Sequence, residues 1–166
     1  TLNNPTRSGY EFTGWTGSNG NTPQLSVTIE KGTTGTLNYV ANWRPVVYAI
    51  SYDLNNGTVT SNPVNYNIET ETFTLNNPTR SGYEFTGWTG SNGSTPQTTV
   101  TIVKGTKTGH LTYTANWKAK EVVVTYDVNE GEPWTATTCK KDFGFDFEES
   151  TKKCTKKYNV GDTYDL

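Results

Sequence analysis

The sequence predicts a mostly β, or small α+β, chain of tandem beads joined into a rod. Three observations point there: a self-match at a spacing near 74 residues, period-two alternation of apolar residues inside the matched unit, and 21 aromatic rings in a chain poor in aliphatics.

The self-match comes first. Residues 1–20 read TLNNPTRSGYEFTGWTGSNG, and residues 74–93 repeat those twenty letters. Over residues 1–43 against 74–117, with one extra residue near Thr108, 35 of 43 positions agree. A third, partial copy pairs residues 50–57 with 124–131 and residues 66–68 with 158–160. Such a period is long for a solenoid rung yet sufficient for a small self-contained bead. The expected units are a partial repeat over 1–44, a complete repeat over 45–118 and a partial repeat over 119–166. The last carries an insertion at about 132–157 that the other copies lack.

In the complete unit, Val46, Tyr48, Ile50, Tyr52 and Leu54 alternate with smaller or polar neighbours, the period of a half-buried first strand. Asn55-Asn56-Gly57 reads as a turn, because Asn and Gly tolerate positive φ. A second strand is expected over residues 66–75. After the Asn76-Asn77-Pro78 break come the rings of Tyr83, Phe85 and Trp88; any helix should be a single turn over residues 78–83. Val100 and Ile102 alternate with threonines, and Leu111, Tyr113, Ala115 and Trp117 alternate through a closing strand. The connections between units, Arg44-Pro45 and residues 118–121, are short and not Gly/Ser-rich, which predicts a stiff joint.

Leu, Ile, Val and Phe total 30 of 166 residues, few enough to raise disorder, but a net charge of −2 removes the second condition for it. Sixteen of the 21 rings fall at repeat-equivalent positions, so aromatic cores replace the missing aliphatics. The near-neutral balance predicts no nucleic-acid partner, and no apolar run is long enough to insert into a membrane. With no methionine, the chain is expected to be a processed form or a piece of a longer one.

The string NPTRSGYEFTGW, closed by LTYTANW, resembles the Listeria–Bacteroides repeat, the internalin B-repeat type of bacterial surface module. The resemblance covers residues 1–131 and resumes at 158–166, where YNVGDTYDL is similar to the family's second strand. It implies a β-grasp-like bead, an extracellular or cell-surface location, and a stalk or adhesive-spacer role without catalytic residues. Residues 132–157 depart from the pattern.

No constellation for catalysis stands out, and neither cofactor nor metal is expected. His110 is the only histidine, and Thr36 stands at the equivalent position, so a repeated Ser–His or Cys–His site is excluded. Asp127-x-Asn129-x-Gly131 starts like a calcium loop but has Thr138 where the twelfth-position acid belongs. Cys139 and Cys154, an even pair in a chain that resembles secreted proteins, read as a disulfide that staples a loop over residues 140–153 within the insertion. Inside it Phe143, Phe145 and Phe147 alternate, with Trp134 just before. Two readings compete for these four rings: a stapled hairpin buried in its own bead, or an exposed surface that binds a protein or glycan.

Thr1-Leu2 and Asp165-Leu166 both align with Thr74-Leu75, so residues 1–43 lack the first two strands of a unit and residues 122–166 supply those two. Two explanations stand side by side: a fragment of a longer array, or a subunit in which 122–166 of one chain completes 1–43 of another by strand addition. The latter would build a head-to-tail filament. Expected partners are therefore neighbouring repeats, other copies of the chain, or a host or cell-surface protein or glycan.

Overall fold

The computed structural model describes residues 1–126, 139, 145–151 and 153–162. In the first unit, β1 (Tyr10–Gly17), β2 (Gly20–Gln24) and β3 (Tyr39–Pro45) form an antiparallel sheet in the order β2-β1-β3. The second unit contains β4 (Tyr48–Asp53), β5 (Asn65–Tyr66), β6 (Phe73–Thr74), β7 (Tyr83–Gly90), β8 (Gly93–Gln97), β9 (Thr101–Ile102) and β10 (Leu111–Ala119). Its main sheet runs β5-β4-β10-β7-β8, and β6 pairs with β9. The third unit pairs β11 (Glu121–Tyr126), β13 (Lys153–Asn159) and β12 (Asp146–Glu148) in the order β11-β13-β12.

The closure of the second unit is its unusual step. Its first strand, β4, lies parallel to its last, β10, with Leu111 opposite Ile50 and Tyr113 opposite Tyr52. All the other strand pairs among the described residues are antiparallel. A parallel neighbour needs a long crossover, and here nearly the whole unit is that crossover. Around the pair, Ile50, Tyr66, Leu75, Trp88, Val100, Ile102, Leu111, Tyr113 and Ala115 form one buried cluster. The tryptophans meet their neighbours edge-on, Phe85 lying 5.4 Å from both Trp88 and Trp117 and Tyr52 5.9 Å from Trp88, while Tyr52 and Tyr113 stack at 6.1 Å. Edge-to-face contact puts a positive ring edge on a negative ring face, which strengthens packing beyond area burial.

Polar side chains finish what the rings begin. The Trp88 indole N–H donates to Asn77 Oδ1 at 3.2 Å, and the Trp117 indole to the Leu54 carbonyl at 3.0 Å. At the bulge between β7 and β10, Asn116 Nδ2 lies within 3.1 Å of Gly87 O, Thr89 Oγ1 and Thr114 O. The first unit has the same plug at Asn42. The turn expected at Asn55-Asn56-Gly57 is present, with φ of 46° at Asn55 and 64° at Asn56.

Two local expectations fail. The strand expected over 66–75 is two short strands, because Asn67 makes its own turn: its Oδ1 accepts from the Glu69 N–H at 2.9 Å, and its backbone N–H donates to Thr70 Oγ1. The helical turn expected over 78–83 is also absent. There Thr79 bridges to Thr58, and the Tyr83 N–H closes a tight turn onto the Arg80 carbonyl at 3.1 Å with Gly82 at φ 76°.

Replacing Trp88, which has no exposed surface, by Ala should cost about 3–5 kcal/mol in denaturant unfolding of the second unit, whereas Trp15→Ala, at the half-covered equivalent position, should cost less. Burial pushes the Tyr52 hydroxyl up to about 12, with Tyr113 adding to the shift; Tyr66 and Tyr113 are raised for the same reason. A hydroxyl that holds its proton more firmly when folded gives stability that is full below a pH of about 10 and lost as the pH climbs toward 12. Urea midpoints measured across that window should fall, and Tyr52→Phe should make the fall shallower.

Candidate interaction surfaces

Three places combine exposure, irregularity or contact between units: the joints, the open flank of the first unit, and the disulfide-bound segment.

The joints are built twice with equivalent residues. At the first, the Gly9 carbonyl accepts from the Val46 N–H at 3.0 Å; at the second, Gly82 accepts from Lys120 at 2.9 Å. Each glycine sits at positive φ, +77° and +76°, in a turn where a β-carbon would be strained. Each also presses on a β-branched residue of the following unit: a β-carbon on Gly9 would come within 2.9 Å of Ile68 Cβ, and one on Gly82 would overlap Val160. Ile68 and Val160 are themselves repeat-equivalent. An arginine caps each turn by lying over the adjacent tyrosine, Arg7 on Tyr10 at 3.7 Å and Arg80 on Tyr83 at 3.6 Å. The first joint adds a hydrogen bond from the Tyr10 hydroxyl to Glu69 at 2.9 Å, which raises the pKa of that hydroxyl.

The open flank appears on comparing equivalent strands. β3 pairs with β1 on one side and, among the described residues, with no strand on the other, where β10 has β4. The consequence is measurable: Leu37 is 37 % exposed against 5 % for its equivalent Leu111. Beside it lies a cavity of about 360 Å³ whose apolar lining is Val27, Ile29, Leu37 and Tyr39. Their equivalents Val100, Ile102, Leu111 and Tyr113 pack in the second unit against Ile50 and Tyr66.

In the third unit, Cys139 and Cys154 are joined, with Cα atoms 5.7 Å apart. The Phe145 N–H donates to the Cys139 carbonyl at 3.0 Å. Phe145 is 9 % exposed, meets Tyr126 edge-on at 5.0 Å, and packs with the disulfide in a small core that Phe147 partly joins. Phe147 sits opposite Cys154 in the β12–β13 ladder. The side chain of Lys156 lies over the Phe145 and Tyr158 rings at 5.4 and 5.3 Å. The structure thus brings Phe145 and Phe147 together on the disulfide; Trp134 and Phe143 lie outside the described residues. His110 is exposed, and its Nδ1 accepts from the Ala49 N–H at 2.9 Å. No group of three or more His, Cys, Asp or Glu side chains among the described residues is placed to hold a metal ion.

Both joints combine residues of one unit with residues of the next, so the signal for them lay in the repeat itself, in the recurrence of Arg-Ser-Gly-Tyr and of the residue after Tyr-Asn. The open flank was legible in the same alignment, in which residues 1–43 carry no counterpart of β4 and β5.

A family model described as the Listeria-Bacteroides repeat domain matches residues 1–41 and 48–116. No curated protein and no solved structure matches the chain.

The disulfide closes a loop across a sequence separation of 15 residues, so its removal in a Cys139→Ser, Cys154→Ser variant should destabilise the third unit by ~3 kcal/mol. Unfolding of the second unit, followed through Trp88 and Trp117 fluorescence, should be unchanged.

Proposed function

Since the chain belongs to the Listeria-Bacteroides repeat domain family, whose repeats occur in surface proteins, we propose that it is a non-catalytic stalk or adhesive spacer at the bacterial cell surface, its β-grasp-like beads set in a rod. The observation that carries this reading is the joint. A spacer must hold successive units at a fixed angle, and here a backbone hydrogen bond and a glycine–aliphatic contact recur at equivalent residues of both junctions. The β-grasp-like description is supported by the parallel pairing of first and last strands, each with an antiparallel neighbour on its other side. No helix among the described residues is long and apolar enough to cross a membrane.

The open β3 edge favours a further reading in the same class, a head-to-tail filament in which strands of the type in residues 122–166 complete residues 1–43 of a neighbour. Binding of a protein or glycan through the stapled hairpin has less support, because Phe145 faces the disulfide and Tyr126 rather than solvent.

Spin labels on exposed positions of adjacent units, Thr86 in the second and Lys157 in the third, test the stalk reading. The native chain should give one narrow distance distribution. Gly82→Val, which crowds Val160 and strains the turn, should broaden or shift it while leaving the fold of the second unit intact. A distribution already broad in the native chain would contradict a stiff spacer.

A further inference from the structure

The first and last strands of the second unit lie side by side. The chain comes from β3 across Val46 and Val47 directly into β4, and leaves β10 across Lys120 directly into β11. β4 and β10 are parallel neighbours, with Ile50, Ser51, Tyr52 and Asp53 opposite Leu111, Thr112, Tyr113 and Thr114. Tension along the chain therefore pulls β4 backwards from its start and β10 forwards from its end. In a parallel pair those pulls are opposed along the strand axis, so the pair is loaded in shear. The ladder hydrogen bonds run across the strands, share that load and must give way together. Two strands pulled apart at adjacent ends lose the same bonds one at a time.

Side chains lengthen the ladder in both directions. At the start of β4, the Ala49 N–H donates to His110 Nδ1 at 2.9 Å, an imidazole taking the place of a backbone acceptor. Beyond the end of β4, Asn55 Nδ2 donates to the Ala115 carbonyl at 2.9 Å, and the Trp117 indole N–H to the Leu54 carbonyl at 3.0 Å. All three bonds join the β4 segment to the β10 segment. On its other edge β10 is held by β7 from Tyr113 to Ala119, so β4 is the strand that must slide. Sliding forces Ile50 and Tyr52 past Leu111 and Tyr113. Ile50, Leu111 and Tyr113 belong to the buried cluster, and the Tyr52 and Tyr113 rings stack at 6.1 Å. Interdigitated side chains at interior density resist that movement until they clear one another.

We propose that the β4–β10 pair is a force clamp, the device that keeps this unit folded while the chain carries tension. The proposal rests on the stalk reading for the source of the load and goes beyond it. Stiffness belongs to the joints between units, whereas resistance to stretching belongs to the strand pair inside one unit. Only Val46 and Val47 on one side and Lys120 on the other separate the clamp from the neighbouring strands, so extension has no slack loop to take up first. Forced unfolding is governed by the unfolding barrier rather than by overall stability. The strength of the clamp therefore depends on the direction of the pull.

Single-molecule pulling on the full chain, with the native disulfide intact, reads that dependence. Handles on Val47→Cys and Lys120→Cys load the pair in shear, as tension along the chain does. Handles on Val47→Cys and Thr108→Cys pull the adjacent starts of the same two strands apart and open the ladder bond by bond. All three positions are exposed. The shear event identifies itself, since residues 47–120 release roughly 250 Å of extended chain. At one pulling speed, the unfolding force should be severalfold higher in shear than in opening. Asn55 sits at φ 46°, and Asn55→Gly tolerates that backbone while removing the side chain. It should lower the shear force and leave the opening force unchanged, because in opening the Asn55 bond is loaded last. Urea unfolding of the variant checks that its second unit is folded, and the comparison of the two geometries stands without it. Equal forces in the two geometries overturn the clamp, and so does a shear force that a folded Asn55→Gly chain does not lower. Either result leaves the stalk reading standing, since that reading fails on a broad spin-label distribution and not on these forces.

Discussion

One pairing governs the rest of the structure: the last strand of a repeat is covered by that repeat's own first strand, lying parallel to it. Where the pairing is made, between β4 and β10, Leu111, Tyr113 and Ala115 are buried and Trp88 is sealed beneath them. Where it is not, at β3, nearly the same sequence leaves Leu37 exposed and Tyr39, Ala41 and Trp15 half-covered. The near-identity of the two copies makes this an internal control. Composition, turns, the Asn plug and the ring contacts are common to both, Phe12 meeting Trp15 and Trp43 as Phe85 meets Trp88 and Trp117. What differs is the neighbour on one edge, so burial in these small aromatic beads is a property of strand partnership rather than of local sequence.

The same dependence explains which features were legible beforehand. Strands with clean alternation, β4 and β10, were readable because each buries one face and the sequence records it every second residue. The strands β2 and β8 were not. They are wholly exposed edge strands with Pro23 and Pro96 near their ends, and no burial marks them. The missed break inside residues 66–75 came from Asn67, whose side chain competes for backbone hydrogen bonds and makes a turn where alternation alone predicted a continuous strand. The expected helical turn failed for a related reason: the chain after Pro78 finds a bridge partner in Thr58, which no local pattern reveals. Of the candidate surfaces, the cysteine pair was visible from count and context. The inward packing of Phe145 was one of two readings left open, because alternation fixes which face a ring occupies and not what covers that face.

The two joints share one construction. The joints couple units through glycine turns too tight for a side chain and through the aliphatic residues that press on them. Because Ile68 and Val160 lie in the turns just after β5 and β13, and Gly9 and Gly82 in the turns before β1 and β7, each joint fixes the strand pair of one unit against the body of the unit before it. In the third unit the disulfide, Phe145 and Phe147 form a small local core with Tyr126, and β12 flanks β13 on the side away from β11.

Residue-resolved amide hydrogen exchange in dilute solution tests the governing role of the parallel pairing most directly. The account predicts that amides along the exposed edge of β3 exchange orders of magnitude faster than their equivalents in β10. Equal protection of the two strands in a dilute monomer would contradict it, because burial would then not depend on the first strand at all.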